Sequence, residues 1–157
     1  GVSFIEGCPD CAASEKIGVI VVDVQGDFTT WKKGSLAVKG TDEAFVAGVQ
    51  KATETAAAQG WILFGTQDWH PEGHVSFASR HEGREPMDVI ELHGHDQTLW
   101  PDHCVQGTEG ARLHPGLPWT RVEAVIRKGT SPERLRSRSP RAEVAVSSVK
   151  VTVPDSS

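Results

Sequence analysis

The run Ile17-Gly18-Val19-Ile20-Val21-Val22-Asp23-Val24 constrains the fold more than any other stretch of the chain. A short, continuous β-branched segment of this kind suits a strand buried on both faces of a parallel sheet, and it predicts a central strand. Residues Thr41–Gln59 then read as a helix. Thr41 can cap it, Asp42 and Glu43 suit its positive end, and Phe45, Val46, Val49, Ala52 and Ala56 fall on a helical period before Gly60 stops it. Trp61–Thr66 supplies a second strand and Val122–Lys128 a third. A strand-helix-strand unit of this length implies a right-handed crossover and a parallel pair. At 157 residues there is enough chain for one domain with a sizeable core.

The second strand runs into Asp68-Trp69-His70-Pro71-Glu72-Gly73-His74. At i and i+2 on an extended segment, Asp68 and His70 project to the same side and can chelate one cation. A third ligand must come from elsewhere. His103 in Trp100-Pro101-Asp102-His103-Cys104-Val105 is the candidate, with His74 as an optional fourth. Two His and one carboxylate suit a catalytic divalent ion, typically zinc, with a position left open for water or substrate. The plainer alternative is that each His is a surface or hydrogen-bonding residue, and no fixed-distance rule such as a paired Cys-x-x-C decides between the two.

Asp23 is out of place at the end of an apolar strand, since a buried carboxylate is costly unless paired or bound to something. It is either a site residue or a turn or cap Asp. Phe28 offers an apolar wall for a flat ligand or simply packs in the core. Trp69 and Trp100 flank the two halves of the proposed metal site and either sandwich an aromatic ring or pack. Residues 74–100 form a long polar excursion, of the kind that serves as a wall or lid. Its His81, Glu85, His93 and His95 read as solvated loop residues.

Five motifs together resemble the nicotinamidases of the isochorismatase-like cysteine hydrolases. They are Val21-Val22-Asp23-Val24-Gln25-Gly26-Asp27-Phe28; Gly34-Ser35-Leu36-Ala37-Val38; Asp68-Trp69-His70-Pro71 with His74 and Ser76-Phe77; Trp100 to Thr108; and Lys128-Gly129. They stand in the family's order from about Ile17 to Gly129. The resemblance implies an α/β fold of three layers, a mostly parallel sheet with helices on both faces. It implies metal-dependent hydrolysis of nicotinamide, or a related pyridine carboxamide, to the acid and ammonia in NAD salvage. Asp23 would be the general base and Lys128 the cation beside base and nucleophile, although a lone Lys at a strand end is otherwise a solvated residue. Asp68, His70 and His103 would hold zinc, with iron or manganese as alternatives, and Phe28, Trp69 and Trp100 would line the substrate pocket.

The family's nucleophilic Cys follows this Lys, and no Cys stands among the 29 residues after Lys128. Cys104 is a poor substitute, because the motif around His103 often carries a Cys in addition to the nucleophile. The pattern therefore reads as C-terminally incomplete, with an arm at residues 1–16, a partial hydrolase domain at 17–130 and an Arg/Ser-rich tail at 131–157. The change of register near Arg134 suggests a shift of reading frame there, and Val144–Val153 partly alternates as an edge strand would. Such a chain is expected to be inactive or very weak. The rival readings are another isochorismatase-like hydrolase and a non-catalytic metal- or ligand-binding remnant.

Charge and cysteine usage narrow the partners. Residues 1–128 carry 18 acidic side chains against 11 basic, and residues 129–157 carry three against five, so the body offers no nucleic-acid surface. With a mean hydropathy of -0.32 and no apolar run of about eighteen residues, no membrane helix is expected. Three Cys make no disulfide framework and point to reduced thiols in a cytoplasm. Cys8 and Cys11 have redox or zinc-ribbon spacing but no second pair. A homo-oligomer is compatible with all of this.

Overall fold

The computed structural model describes residues 17–132. The arm at 1–16, the proposed frame change near Arg134 and the edge strand at Val144–Val153 lie outside them. Three parallel strands form the sheet: β1 (Gly18–Val22), β2 (Ile62–Asp68) and, after a long connection, a strand at Ala124–Lys128. β2 lies between the other two, with Val22 opposite Thr66 and Asp68 opposite Lys128. The apolar run at 17–24 stops being a strand at Asp23 because that residue turns to φ +50°, a left-handed conformation that Asp tolerates better than Val or Ile.

Helix α1 (Glu43–Ala58) joins β1 to β2. Its cap is Asp42 and not Thr41: the Asp42 carboxylate accepts the Phe45 N–H at 3.1 Å, whereas the Thr41 hydroxyl is bonded to the carbonyls of Phe28 and Val38. Val46 of α1 packs with Val21, Val24 and Leu117, flanked by Val49 and Trp119. That cluster covers one face of the sheet. On the other, Val22 and Ile126 stand 45% and 56% exposed across Thr66, and no second α-helix occurs among the described residues.

The excursion at 74–100 is more ordered than a plain lid. It contains an antiparallel hairpin, β3 (Val89–Leu92) and β4 (His95–Thr98), turned by His93 and Gly94, both at positive φ. Two such residues match the right-handed twist of the strands they join. The remaining strand, Ala124–Lys128, is β5. No described helix is long and apolar enough to cross a membrane.

Candidate active site

The C-terminal ends of β1, β2 and β5 bring three charged side chains together. Asp68 and Lys128 are cross-strand partners, so their side chains leave the sheet on the same side. The Lys128 ammonium contacts the Asp68 carboxylate and also donates to Asp23 at 2.7 Å. The second oxygen of Asp23 accepts the Thr66 hydroxyl at 2.7 Å. Burial alone would push Asp68 up, but a protonated His70 ring, its Nε2 3.7 Å away, and the bonded Lys128 ammonium outweigh it and bring the carboxyl down to about 2. Burial would likewise lower Lys128, but its bonds to Asp23 and Asp68 hold it above the ordinary lysine value.

One donor atom from each of Asp68, His70 and His103 can be chosen so that all three lie within 4.8 Å of one another. The His70 Nδ1 faces the Gly129 carbonyl at 3.0 Å, and the His103 Nδ1 faces the Pro101 carbonyl at 2.8 Å. A carbonyl only accepts, so both Nδ1 atoms carry hydrogen and both Nε2 atoms keep a lone pair when the rings are neutral. Burial lowers His103, against the opposing bond to Pro101, which favours that neutral ring. Two imidazole lone pairs and an ionised carboxylate at this spacing fit a divalent cation.

The rest of the backbone follows from that arrangement. His70 is strapped to the His103 turn, donating its N–H to the Cys104 carbonyl at 2.9 Å and accepting the Gln106 N–H at 2.8 Å. Gly129 sits at φ +65°, and a Cβ there would collide with the His70 ring. His74 stands beside the three donors, its ring 4.5 Å from that of His70 and its Nδ1 2.7 Å from the Ser76 hydroxyl.

Phe28 lies 5.7 Å from the His103 ring and, with Asp23, Val22, Val38 and Phe45, lines a recess of about 440 Å³. The Trp69 ring carries the Arg127 guanidinium 4.1 Å from its centroid. The Trp100 backbone is bonded to Ser76 and Ala78. Glu85, His93 and His95 are exposed, and His81 bonds to the Val75 carbonyl. Cys104 is fully buried, and burial together with the carboxylates of Asp68, Asp27 and Asp23 pushes its thiol far up, so it is not a poised thiolate. Two groups escaped the sequence reading as site residues, the buried Gln25 and the half-buried Asp27. Their spacing at i+2 and i+4 from Asp23 is visible in the sequence, but a loop has no period from which to read side-chain direction.

No family profile matches the chain. It is 47% identical over 113 residues to a nicotinamidase of Acinetobacter baylyi, an alignment covering 71% of this chain and 49% of that protein. Among solved structures it is similar to yeast nicotinamidase bound to the inhibitor nicotinaldehyde, with a TM-score of 0.67 and 30% identity, over 75% of this chain and 59% of the other. It is also similar to the pyrazinamidase of Pyrococcus horikoshii in complex with zinc, with a TM-score of 0.58 and 32% identity, over 77% and 56%. The fold over the matched residues is the isochorismatase-like α/β fold shared by nicotinamidases and pyrazinamidases. Over the matched residues the chain is similar to nicotinamidases, at 43–47% identity to those of Acinetobacter baylyi and Escherichia coli. It spans about half the length of the curated relatives it matches.

Proposed function

We propose that this site is built for metal-dependent hydrolysis of nicotinamide or a related pyridine carboxamide to the acid and ammonia, a reaction of NAD salvage. The observation that carries it is the position of Lys128, bonded at once to Asp23 and to Asp68, the carboxylate of the three-donor cluster. A base, a cation and a metal cradle thereby share one sheet edge, the edge where open α/β folds place their ligands.

Asp68, His70 and His103 would hold the ion, for which we favour zinc, as in the Pyrococcus pyrazinamidase. A bound ion would supply a Lewis acid that fixes the ring nitrogen, directly or through water. In this reading Asp23 takes the proton of the attacking group and Lys128 offsets the negative charge that develops on the carboxamide. Phe28 is the wall we assign to the pyridine ring, because it lines the recess that Asp23 opens into. Trp69 and Trp100, which the resemblance adds to the pocket, are not among the residues that line this recess. The likeness to a relative bound to nicotinaldehyde supports the pyridine class. The reduced thiols expected from the cysteine count fit a cytoplasmic setting.

The covalent route also needs a thiolate, and the buried Cys104 does not provide one. In this reading the chain binds metal and pyridine ligand, while no thiolate is poised for attack among the described residues and nicotinamide is turned over very slowly or not at all. Zinc-loaded chain should bind nicotinate in a calorimeter while releasing no ammonia from nicotinamide. Ammonia release at the rate of a complete nicotinamidase would remove the inactivity reading, and failure to bind either zinc or nicotinate would remove the site.

A further inference from the structure

The loop that leaves β1 makes two sets of contacts that the proposed chemistry does not use. Gln25 is fully buried. Its Nε2 donates to the Asp68 and Ala111 carbonyls, both at 2.8 Å, and its Oε1 accepts the Asp68 N–H at 2.8 Å. One primary amide thus satisfies both backbone groups of Asp68 and bonds it to a segment 43 residues further on. Two residues later Asp27 reaches the other half of the cradle through the residue next to His103. Its carboxylate accepts the Cys104 N–H at 2.7 Å and the Ser35 N–H at 3.4 Å. Gly34 and Gly110 lie so close that a Cβ on either would collide with Asp27.

Cys104 is the neighbour of His103, and its carbonyl accepts the His70 N–H. Its own φ of +47° is one that a Cys does not adopt without support. The loop is itself clamped, with Gly26 N–H donating to the Arg112 carbonyl and Asp27 N–H to that of Gly110. Gln25 therefore reaches the Asp68 side of the cradle and Asp27 the His103 side, from positions two apart on one fixed loop. Each side chain matches the groups it holds, since an amide complements a peptide group with one donor and one acceptor edge, and a carboxylate accepts N–H groups only.

We infer that Gln25 and Asp27 are positioning residues that together set the separation of the two halves of the metal cradle, the Asp68 end of β2 and the turn carrying His103. This rests on the metal-site reading above. Hydrogen bonds behind a ligand commonly govern affinity at the 10–100-fold level when they are lost.

The test uses the full chain and two readouts. Zinc affinity is measured by competition with a chromophoric chelator, and the His70–His103 ring-to-ring NOE is measured in zinc-free protein, where the ring centroids lie 4.9 Å apart. Gln25→Met and Asp27→Ala should each weaken zinc binding at least about tenfold and abolish the NOE. Ala56→Gly, at a buried position near the C-terminal end of α1, should lower the melting temperature while leaving zinc affinity within about twofold and the NOE intact. Should either first variant fail to fold, Gln25→Glu or Asp27→Asn takes its place, each keeping the side-chain shape. Parental affinity and a parental NOE in the loop variants would overturn the inference. If the unsubstituted chain binds no zinc, the metal-site reading fails, and the NOE alone decides the positioning role: loss supports it, retention overturns it.

Discussion

Lys128 donates to Asp23 across 2.7 Å, joining two residues 105 positions apart in the chain. The same ammonium contacts Asp68, so one cation is shared between the proposed base and the carboxylate of the metal cradle. These carboxylates are only 18% and 16% exposed, and without the lysine they would repel each other. Asp68 is held at about 2 against an ordinary 3.8, so it contributes stability above the ordinary value that is lost as pH falls through about 2. Lys128→Met should destabilise the chain by about 2 kcal/mol at neutral pH, less than the roughly 3–5 kcal/mol of a fully buried pair because the lysine is partly exposed. It should also raise the Asp68 titration midpoint, read by carboxyl-carbon NMR between pH 2 and 5. An unchanged midpoint would mean that the lysine does not govern this carboxylate.

The cradle makes a concentration-dependent prediction. A ligand that binds only the folded chain stabilises it by about 2.7 kcal/mol at one hundred times its dissociation constant. Zinc should therefore raise the melting temperature progressively, and a chelator should reverse the rise. His70→Ala and His103→Ala should each abolish the zinc-dependent increment. His95→Ala, on the exposed hairpin, should retain it. A full increment in the His103 variant would place the ion elsewhere.

How much of this was legible beforehand depended on whether a residue's neighbours were local. The β-branched run at 17–24 and helix α1 declared themselves as elements because strands and helices repeat. Asp68 and His70 were legible for the same reason, lying at a strand end with period two. But the run, expected at the centre and buried on both faces, is an outer strand of the described sheet, and Phe45 of the apolar period is exposed. The cap was misplaced by one residue because Thr41 and Asp42 have similar preferences, and only the tertiary bonds of Thr41 to Phe28 and Val38 decide between them. The hairpin at 89–98 was missed because Glu91, His95, Asp96 and Gln97 give it no apolar alternation to read. Gln25 and Asp27 were hidden for a different reason: their partners are backbone groups, which leave no mark on the sequence.

Gly129 links the lysine strand to the cradle. Its φ of +65° suits glycine, and any Cβ would strike the His70 ring. Gly129→Ala should combine about 1–2 kcal/mol of left-handed backbone strain with displacement of that ring. The expected result is a lower melting temperature together with weaker zinc binding, whereas Gly83→Ala, also at positive φ but with open space around it, should lower the melting temperature alone. Equal zinc affinity in the two variants would show that the His70 ring does not depend on the room Gly129 leaves.

His114 gives the fold a pH dependence that owes nothing to metal. It is 5% exposed, its ring lies 4.7 Å from that of Trp31, and its Nδ1 accepts the Gly116 N–H at 3.0 Å. With Nδ1 accepting, the neutral ring carries its hydrogen on Nε2, which is buried without a hydrogen-bond partner among the described residues. Protonation must put a second hydrogen on Nδ1, breaking the Gly116 bond and burying a charge. Burial accordingly holds His114 below the ordinary value of 6.5, with Glu43 opposing only in part. Because the folded value lies below the unfolded one, the unfolded chain binds more protons in acid. The contribution to stability is present above 6.5 and is lost as pH falls from there through the folded value, at no more than about 1.4 kcal/mol per pH unit. Melting curves of zinc-free protein between pH 7.5 and 5 should show this decline, and His114→Leu should make it shallower by up to that slope. His103, also lowered, contributes equally to both proteins, so the difference between them isolates His114. Parallel declines in the two proteins would show that the imidazole titrates normally in the fold.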